Sequence, residues 1–338
     1  MFKRTIELFQ NPIQNQKQVF IIVISSLLFI FMPQLPPSDW KLNTLGLFEN
    51  FLGVYQNPNY VYPPWALIPL CGYRLIGPEG ARILSVISIG LLCKQKQWSL
   101  FKFFTIILSP FFLATMTKSN IDILCYVLPV VLWEKFEQKS RFQFVIQLIA
   151  IYLLFIKPQG ALLVVPFLFL IHKVSLKRIL LLGFGLLILA IPVSFLSNPP
   201  LIIQWLNNVL SPSPQNRFYW SINNISFTSK SYAPYGMLIV VSLGVLIFGL
   251  VKKNVIRWST NHWISSLLYL SMIVSPYTSQ QSFSSALAYI PSFVSFVYQI
   301  IIILFFSFTE FYFDYLAFVI LSIFVVSLTT YNNHKEVK

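Results

Sequence analysis

The residues best suited to chemistry in this sequence are a lone carboxylate and the aromatic run that follows it. Asp39 stands six residues after the apolar segment that ends at Pro33, and the run covers residues 60–65. A carboxylate beside a membrane surface can accept the proton of a substrate hydroxyl group. Tyr60, Tyr62 and Trp65 can stack against sugar rings or line a lipid groove, or they can belong to an interfacial aromatic belt. We therefore expect general-base chemistry at Asp39.

A second candidate is Lys157, which separates two apolar segments and directly precedes Pro158. An ionisable side chain at such a position is costly unless it is paired or lies at the membrane interface, so it is a functional hypothesis by default. Lys157 could hold a phosphate group, and Lys118 and Arg217 are further phosphate-binding candidates on the same predicted face. The alternative for Lys157 is a snorkelling side chain that meets lipid headgroups.

Several polar residues could hydrogen-bond sugar hydroxyl groups or bind lipid, and they fall in the same group of predicted loops. These are Asn120, Asp122, Gln159, Gln280 and Gln281. Asp122 has a second interpretation, because an acid at the start of a helix complements the helix dipole.

The composition places these residues in a membrane protein. The chain has 338 residues, of which 56% are hydrophobic and 10% are charged, and its mean hydropathy is +0.71. Soluble domains average roughly 25% charged residues. We therefore predict an all-α polytopic membrane protein with about 10–12 transmembrane helices, forming a single integral membrane domain over residues 1–338. The three cysteines indicate neither disulfides nor a zinc site, and we expect no metal or other cofactor.

The basic residues predict the topology. The net charge of +14 is spread over short clusters between apolar segments, which favours membrane topology over nucleic-acid binding. By the positive-inside rule these clusters lie in the cytoplasm together with the N-terminus. The clusters cover residues 3–17, 94–102, 135–141, 172–178 and 252–257. The remaining loops are then external at the plasma membrane, and they cover residues 34–62, 117–122, 157–159, 197–232 and 275–282.

Apolar segments predict the helices. We place them near 19–33, 80–93, 100–116, 121–134, 143–156, 160–172, 178–196, 234–251, 262–276, 283–306 and 312–330. The stretch 64–76 is too short to cross comfortably, so we interpret it as a re-entrant or strongly tilted piece. Two larger external regions remain. Region 34–63 contains an amphipathic stretch at 44–54 that suggests an interfacial helix carrying Glu49, and region 197–233 forms the second loop.

The order of five short motifs resembles a known family. The motifs are Tyr62-Pro63-Pro64, Ser119-Asn120-Ile121-Asp122, Lys157-Pro158-Gln159, Asn223-Asn224-Ile225-Ser226 and Ser275-Pro276. Together with the external acid, they look like the integral membrane glycosyltransferases of the C-type fold, and most like the mannosyltransferases of glycosyltransferase family 87. The resemblance spans residues 18–292. One motif departs from the family pattern, because residues 277–282 lack the Trp, acidic or His residues that commonly follow the late Ser-Pro pair.

The resemblance implies a reaction. Asp39 would deprotonate an acceptor hydroxyl, which attacks the anomeric carbon of a polyprenyl-phosphate sugar and expels the lipid phosphate with inversion. The donor would carry a mannose-like hexose or a pentose, and the acceptor would be a lipid or a glycan. Membrane lipids would be the other partners, and we expect no nucleic acid.

Two other functions compete with this one. A lipid or solute transporter predicts charged groups along a central path and paired repeats, and no repeat is visible. A lipid-linked-sugar polymerase or ligase would use external arginines, and the predicted external face is poor in arginine. A hydrolase is disfavoured, because no Ser/His/Asp or Cys/His set falls on one face.

Overall fold

The computed structural model describes residues 7–35, 50–57, 60, 62–135, 142–210, 259–274 and 283–308. These residues form α-helices and short 3₁₀ turns, with no β-strand among them. The helices are α1 Gln16–Leu28, α2 Leu67–Gln95, α3 Leu100–Ile107, α4 Pro110–Thr117, α5 Asp122–Lys135, α6 Gln143–Leu154, α7 Pro158–Ile171, α8 Leu176–Ser194, α9 Leu201–Leu210, α10 Thr260–Val274, α11 Phe283–Leu287 and α12 Phe293–Phe308. The all-α class predicted from the sequence holds for this part of the chain. The predicted helices 234–251 and 312–330 and most of the stretch 44–54, with Glu49, lie outside it.

Local sequence signals explain where several helices begin. Asn15 caps α1 in a capping box, in which its side chain accepts from the Gln18 N–H and the Gln18 side chain accepts from the Asn15 N–H. These bonds satisfy backbone donors that lack partners in the first helical turn. Ser99 and Ser175 cap α3 and α8 in a similar way. Both α4 and α7 begin with proline, whose missing N–H costs nothing at the first helical position.

Helix α2 consists of two segments joined at Gly77. This residue has φ 72° and ψ 172°, a conformation open in practice only to glycine, and Pro78 follows it. The Trp65 indole, just before α2, donates to the Phe155 carbonyl at 2.8 Å, and the Arg82 Nε in the second segment donates to the Met116 carbonyl at 3.0 Å. Both acceptors lie at the same end of the bundle. Trp65 and Arg82, on either side of Gly77, are thus both anchored at that end. Pro64–Gln95 as a whole is long and apolar enough to be one span, so the re-entrant or tilted course of residues 64–76 stays a prediction.

Two helices predicted as continuous are broken. The predicted helix 100–116 is two helices, α3 and α4, bent by 57° at the break before Pro110. The predicted helix 283–306 is interrupted between α11 and α12 by a turn that contains Pro291. The two breaks lie close together, since Ser109 of the first and Pro291 of the second line one small cavity. Nearby, the Gln299 side chain of α12 accepts from the Phe111 N–H of α4 at 3.0 Å. Helix α9 was not predicted, because residues 197–233 were assigned as a loop.

Helix α5 lies at the centre of the described bundle. It packs against α2, α6 and α11, and most of its side chains are fully buried. The Trp133 side chain near its end is 1% exposed and contacts the Phe169 and His172 rings. Helices α1 and α8 lie at the periphery and expose long rows of Leu, Ile, Val and Phe. Apolar surface of this extent is unusual for a soluble monomer and marks an interaction surface such as a lipid contact.

The helix lengths bear on membrane insertion. Within the described ranges, Pro64–Gln95 and Leu176–Ser194 are long and apolar enough to cross a membrane, and the bent pair α3 and α4 gives a third candidate if counted as one span. Only 11% of the most apolar window of Leu176–Ser194 is buried inside the protein. These properties are consistent with a membrane protein.

The loops sort into two groups at opposite ends of the bundle. At one end, which we call the aspartate–lysine end, Leu35 N–H donates to Thr117 O at 3.0 Å and Lys157 pairs with Asp122. At the other end, Ile13 N–H donates to Trp98 O at 2.9 Å and Lys96 pairs with Glu134 at 2.7 Å. These are the groups that the positive-inside rule assigned to the external and cytoplasmic faces.

Candidate functional site

The centre of the aspartate–lysine end is an ion pair between two of the predicted site residues. Asp122 is the first residue of α5, and Lys157 directly precedes α7. The Lys157 Nζ donates to Asp122 Oδ1, and the side chains are 13% and 0% exposed, respectively. A buried carboxylate needs such a partner, because an unpaired charge away from water is very costly. Lys157 is therefore a paired residue and not an isolated snorkelling lysine, and Asp122 does more than cap a helix dipole.

A neighbouring asparagine helps to fix the backbone at Asp122. Asn120, itself only 6% exposed, accepts the Asp122 N–H on its Oδ1 at 2.8 Å. Ser119, one residue earlier, has φ 51° and so turns the chain sharply between α4 and α5. This local structure places Asn120 and Asp122 together, as the sequence motif predicted.

Tyrosine rings surround the ion pair. Lys157 Nζ lies 5.7 Å from the centroid of the Tyr62 ring, a cation–π contact. Tyr62 in turn packs against Tyr60, with ring centroids 5.9 Å apart. Both predicted tyrosines are buried, at 7% and 2% exposed. They therefore belong to the interior of this end of the protein and do not form a solvent-facing aromatic belt.

The tyrosine segment is held from both sides. The Tyr55 hydroxyl donates to the Tyr62 carbonyl at 2.7 Å. Burial raises the pKa of the Tyr55 hydroxyl above its ordinary value, so this donor keeps its proton. Asn208 of α9 donates its amide to the Tyr55 and Tyr60 carbonyls at 3.1 Å and 3.3 Å. Helix α9, which the sequence did not predict, thus packs against the tyrosine segment.

Trp65 connects the site to two other helices. Its indole N–H donates to the Phe155 carbonyl, and its own carbonyl accepts from the Tyr152 hydroxyl at 2.6 Å. The Trp65 and Trp205 rings meet edge to face at 5.6 Å. Trp65 is half-buried, so its position is fixed by hydrogen bonds at both the side chain and the backbone.

Several buried polar atoms near the ion pair have no hydrogen-bond partner. They are Asp122 Oδ2 and the hydroxyl oxygens of Tyr60, Tyr73 and Tyr126. Buried polar groups are satisfied in most proteins, so such a group of exceptions calls for an explanation. Carboxylate and phenol oxygens together can bind the hydroxyl groups of a polar ligand.

The remaining predicted residues are distributed as follows. Lys118 lies in the turn after α4 and is half-buried. Gln159 is in the first turn of α7. Asp39, Arg217, Gln280 and Gln281 lie outside the described residues. The structure thus brings together Tyr60, Tyr62, Trp65, Asn120, Asp122 and Lys157.

Two residues at this end were missed by the sequence analysis. Tyr126, one turn after Asp122, packs on Gly160 one turn after the lysine. Arg82 is 2% exposed and donates to backbone carbonyls of two other segments. Its position within an apolar stretch of α2 was a usable signal, since charged residues in such stretches are rare.

Comparisons with known proteins identify no relative of this chain. No family model matches it, and neither a curated protein nor a solved structure is significantly similar.

Proposed function

We propose that this protein is an integral membrane glycosyltransferase that transfers a mannose-like hexose or a pentose from a polyprenyl-phosphate sugar to a lipid or glycan acceptor. One observation carries the proposal: Tyr62, Asp122 and Lys157, from three separate segments, form one buried polar cluster at one end of an apolar helical bundle. Charged groups are expensive in such surroundings, and they are retained where they serve a function.

The proposed setting is a polytopic fold of the C-type class with about 10–12 transmembrane helices in the plasma membrane. The N-terminus lies in the cytoplasm and the aspartate–lysine end faces outward. The support for this orientation is the distribution of Lys and Arg, which gather at the opposite end of the bundle. The order of motifs supports the likeness to glycosyltransferase family 87.

The unpartnered oxygens suggest how the sugar binds. Asp122 Oδ2 can accept a hydrogen bond from a sugar hydroxyl, while Lys157 is bound to the other carboxylate oxygen. The Tyr60 and Tyr126 hydroxyls offer further bonds nearby. A site that leaves these groups unpaired when empty would discriminate strongly against ligands lacking the matching hydroxyls.

Asp39 is the proposed general base. Leu35, four residues before it, is bonded to Thr117 in the loop that carries Asn120 and Asp122. The chain therefore leaves the described segment 7–35 at the same end as the ion pair. Asp39 would take the acceptor proton as the hydroxyl oxygen bonds to the anomeric carbon. The bond from that carbon to the phosphate oxygen breaks, and the lipid phosphate departs with its electron pair.

Sugar transfer by membranes containing the protein tests the proposal. Wild type and Asp39→Asn are offered a panel of polyprenyl-phosphate sugars together with native lipid and glycan acceptors. We expect transfer from one donor by wild type and a loss of at least a hundredfold in Asp39→Asn, because general-base catalysis contributes roughly 10²–10⁴-fold. Glu7→Gln is the matched control, since Glu7 is exposed and forms no ion pair with another described residue.

Near-normal turnover by Asp39→Asn would remove Asp39 from the catalytic role. Lys157→Ala serves as a second variant, and we expect it to weaken donor binding by tenfold or more. Unchanged donor affinity in a folded Lys157→Ala protein would show that the ion pair has a structural role alone.

Transport of a lipid or solute is the second candidate, and the paired helix breaks favour it. Discontinuous helices that meet inside a bundle form the binding sites of many transporters. Here the helices beside the breaks are joined through Gln299 and Phe111 and through a 2.9 Å hydrogen bond between Thr115 and Ser284. Flipping of a lipid-linked sugar across proteoliposomes, without any sugar transfer, would support this function over the first.

A further inference from the structure

Arg82 is a buried cation that the catalytic scheme does not use. Its side chain is 2% exposed, and its Nε donates to Met116 O at 3.0 Å and to Ser119 Oγ at 3.1 Å. Its Nη1 donates to Met32 O. The third guanidinium nitrogen, Nη2, is buried and has no hydrogen-bond partner. The guanidinium therefore retains unused donors.

Among the described residues no carboxylate forms an ion pair with Arg82, and the exposed Glu79, three residues earlier on α2, adds only a longer-range attraction. The ion pairs of the described residues are Lys96 with Glu134 and Lys157 with Asp122, and neither includes Arg82. Its acceptors are carbonyl and hydroxyl oxygens near helix ends, which carry only partial negative charge. A buried cation without an anion is costly, whereas a pair with an anion can be stable. Lys157 differs, because Asp122 already compensates its charge.

The position of Arg82 suits a ligand at the aspartate–lysine end. Ser119, which it contacts, stands three residues before Asp122. Met32, its other acceptor, belongs to residues 32–35, which cross this end and are half-exposed or exposed. The guanidinium therefore contacts a residue whose chain neighbour, Pro33, is exposed at this end of the bundle.

We propose that Arg82 binds the phosphate of a phosphate ester at this end of the protein. The chemistry fits, because the planar guanidinium fork matches phosphate oxygens and is less strongly hydrated than an ammonium group. The inference rests on the proposed function for one point alone, namely that the phosphate belongs to a lipid-linked sugar. In that case Arg82 and not Lys157 supplies the unpaired charge that holds the departing phosphate.

Direct binding tests the assignment without requiring catalysis. The full chain is placed in phosphatidylcholine nanodiscs and titrated with decyl phosphate, and affinity is expressed per folded protein. We expect Arg82→Gln to lose at least tenfold in affinity, which corresponds to about 1.4 kcal/mol. Arg82→Lys keeps the charge but loses the fork, so it should retain an intermediate affinity. Arg178→Gln is the control, since Arg178 binds Gln147 and covers the Phe144 ring at the opposite end.

The outcomes separate a ligand site from a purely structural arginine. A structural Arg82 only ties Met32 and Met116 together. In that case Arg82→Gln would lower thermal stability but leave the affinity of the folded protein within twofold, and this result would overturn the proposal. Arg82→Lys covers the case in which Arg82→Gln does not fold. The proposal would also be overturned if Arg82→Lys and wild type bound decyl phosphate with equal affinity and also bound decyl sulfonate with equal affinity.

The source of the phosphate is tested by competition. Displacement of decyl phosphate by equimolar inorganic phosphate supports a site for the free anion. Displacement only by lipid-like phosphate esters supports the lipid-linked ligand. Failure of the proposed function has a different signature: sugar transfer is absent while Arg82-dependent phosphate binding persists. Transfer that persists unchanged in Arg82→Gln would instead overturn this inference alone.

Discussion

At Gly160 the backbone of α7 lies directly against the Tyr126 ring of α5. A Cβ atom built at this position would overlap the ring and lie 2.8 Å from the Tyr126 Cζ. The neighbouring elements are both anchored, one by Asp122 and the other by Lys157. The close approach of the two helices therefore depends on the absence of a side chain at residue 160.

Gly160→Ala should destabilise the protein by about 1–3 kcal/mol, the usual result of overpacking a core. Gly183→Ala in α8 is the matched control, because a Cβ there meets nothing within 4 Å, and alanine is the better helix former. Denaturation of both variants in detergent micelles measures the difference. Equal stability of the two would show that α5 and α7 can separate without loss.

The ion pair is open to a double-mutant cycle. Asp122→Asn leaves a buried ammonium group and Lys157→Met leaves a buried carboxylate, so each should cost about 3 kcal/mol or more. The double variant carries neither charge and should recover much of that loss. Unfolding free energies of the four proteins give the coupling. Losses that add to within about 0.5 kcal/mol would mean that the two charges act independently.

Among the helices, α2 shows how one residue, Gly77, changes the direction of the chain. Gly77 permits the kink after which residues 78–95 run towards the end where Lys96 meets Glu134. Pro78 reinforces the break, because the residue before a proline is disfavoured in the helical conformation.

Gly77→Ala should cost about 1–3 kcal/mol, since φ 72° with ψ 172° is open to few side chains. Gly72→Ala in the same helix has open space at the added Cβ and serves as the control. Thermal unfolding in micelles compares them. A Gly77→Ala protein as stable as the control would indicate that α2 can be straight.

The sequence predicted the elements better than their interruptions. Apolar runs gave α5, α6, α7, α8 and α10 to within two or three residues, because membrane-length hydrophobic segments are a strong signal. The breaks at Pro110 and before α12 were missed, since the sequence stays apolar through both and proline can begin a helix as well as end one. Helix α9 was missed because it lies in the region 197–233, which was assigned as an external loop between two apolar segments.

The sequence placed several of the clustered residues on one face but did not predict which of them pair. Topology placed Asn120, Asp122 and Lys157 on one face, and the structure brings them together. The ion pair itself depends on how α5 and α7 pack, which no local pattern encodes. Arg82 was missed for the same reason: only the packing of α2 against the ends of α1 and α4 reveals its buried, unpaired charge.

For the whole molecule, the sorting of loops into two ends predicts which positions share a side of the membrane. Gln56 and Glu79 are exposed at the aspartate–lysine end, and Gln97 is exposed at the other. Labelling of single introduced cysteines can test this, in a background from which the native cysteines are removed. Two of the native cysteines, Cys93 and Cys125, are buried.

Single cysteines at Gln56, Glu79 and Gln97 in a cysteine-free background should label accordingly. In intact cells, a membrane-impermeant maleimide should react with Gln56→Cys and Glu79→Cys, whereas Gln97→Cys should react only after permeabilisation. Reaction of Gln56→Cys and Glu79→Cys from opposite sides would contradict the re-entrant course of residues 64–76. Reaction of all three in the reverse pattern would invert the proposed orientation.

The acids of both ion pairs lie on α5, at Asp122 near its start and at Glu134 near its end. Twelve residues of helix measure roughly 18 Å, whereas the hydrocarbon layer of a typical bilayer is about 30 Å thick. A flat bilayer cannot place both pairs at its boundaries with water. Because α5 is enclosed by other helices, water that enters the ends of the bundle, and not compressed lipid, would have to reach the two pairs. The protein would shorten the path between the two aqueous faces at the point where it holds its charged groups.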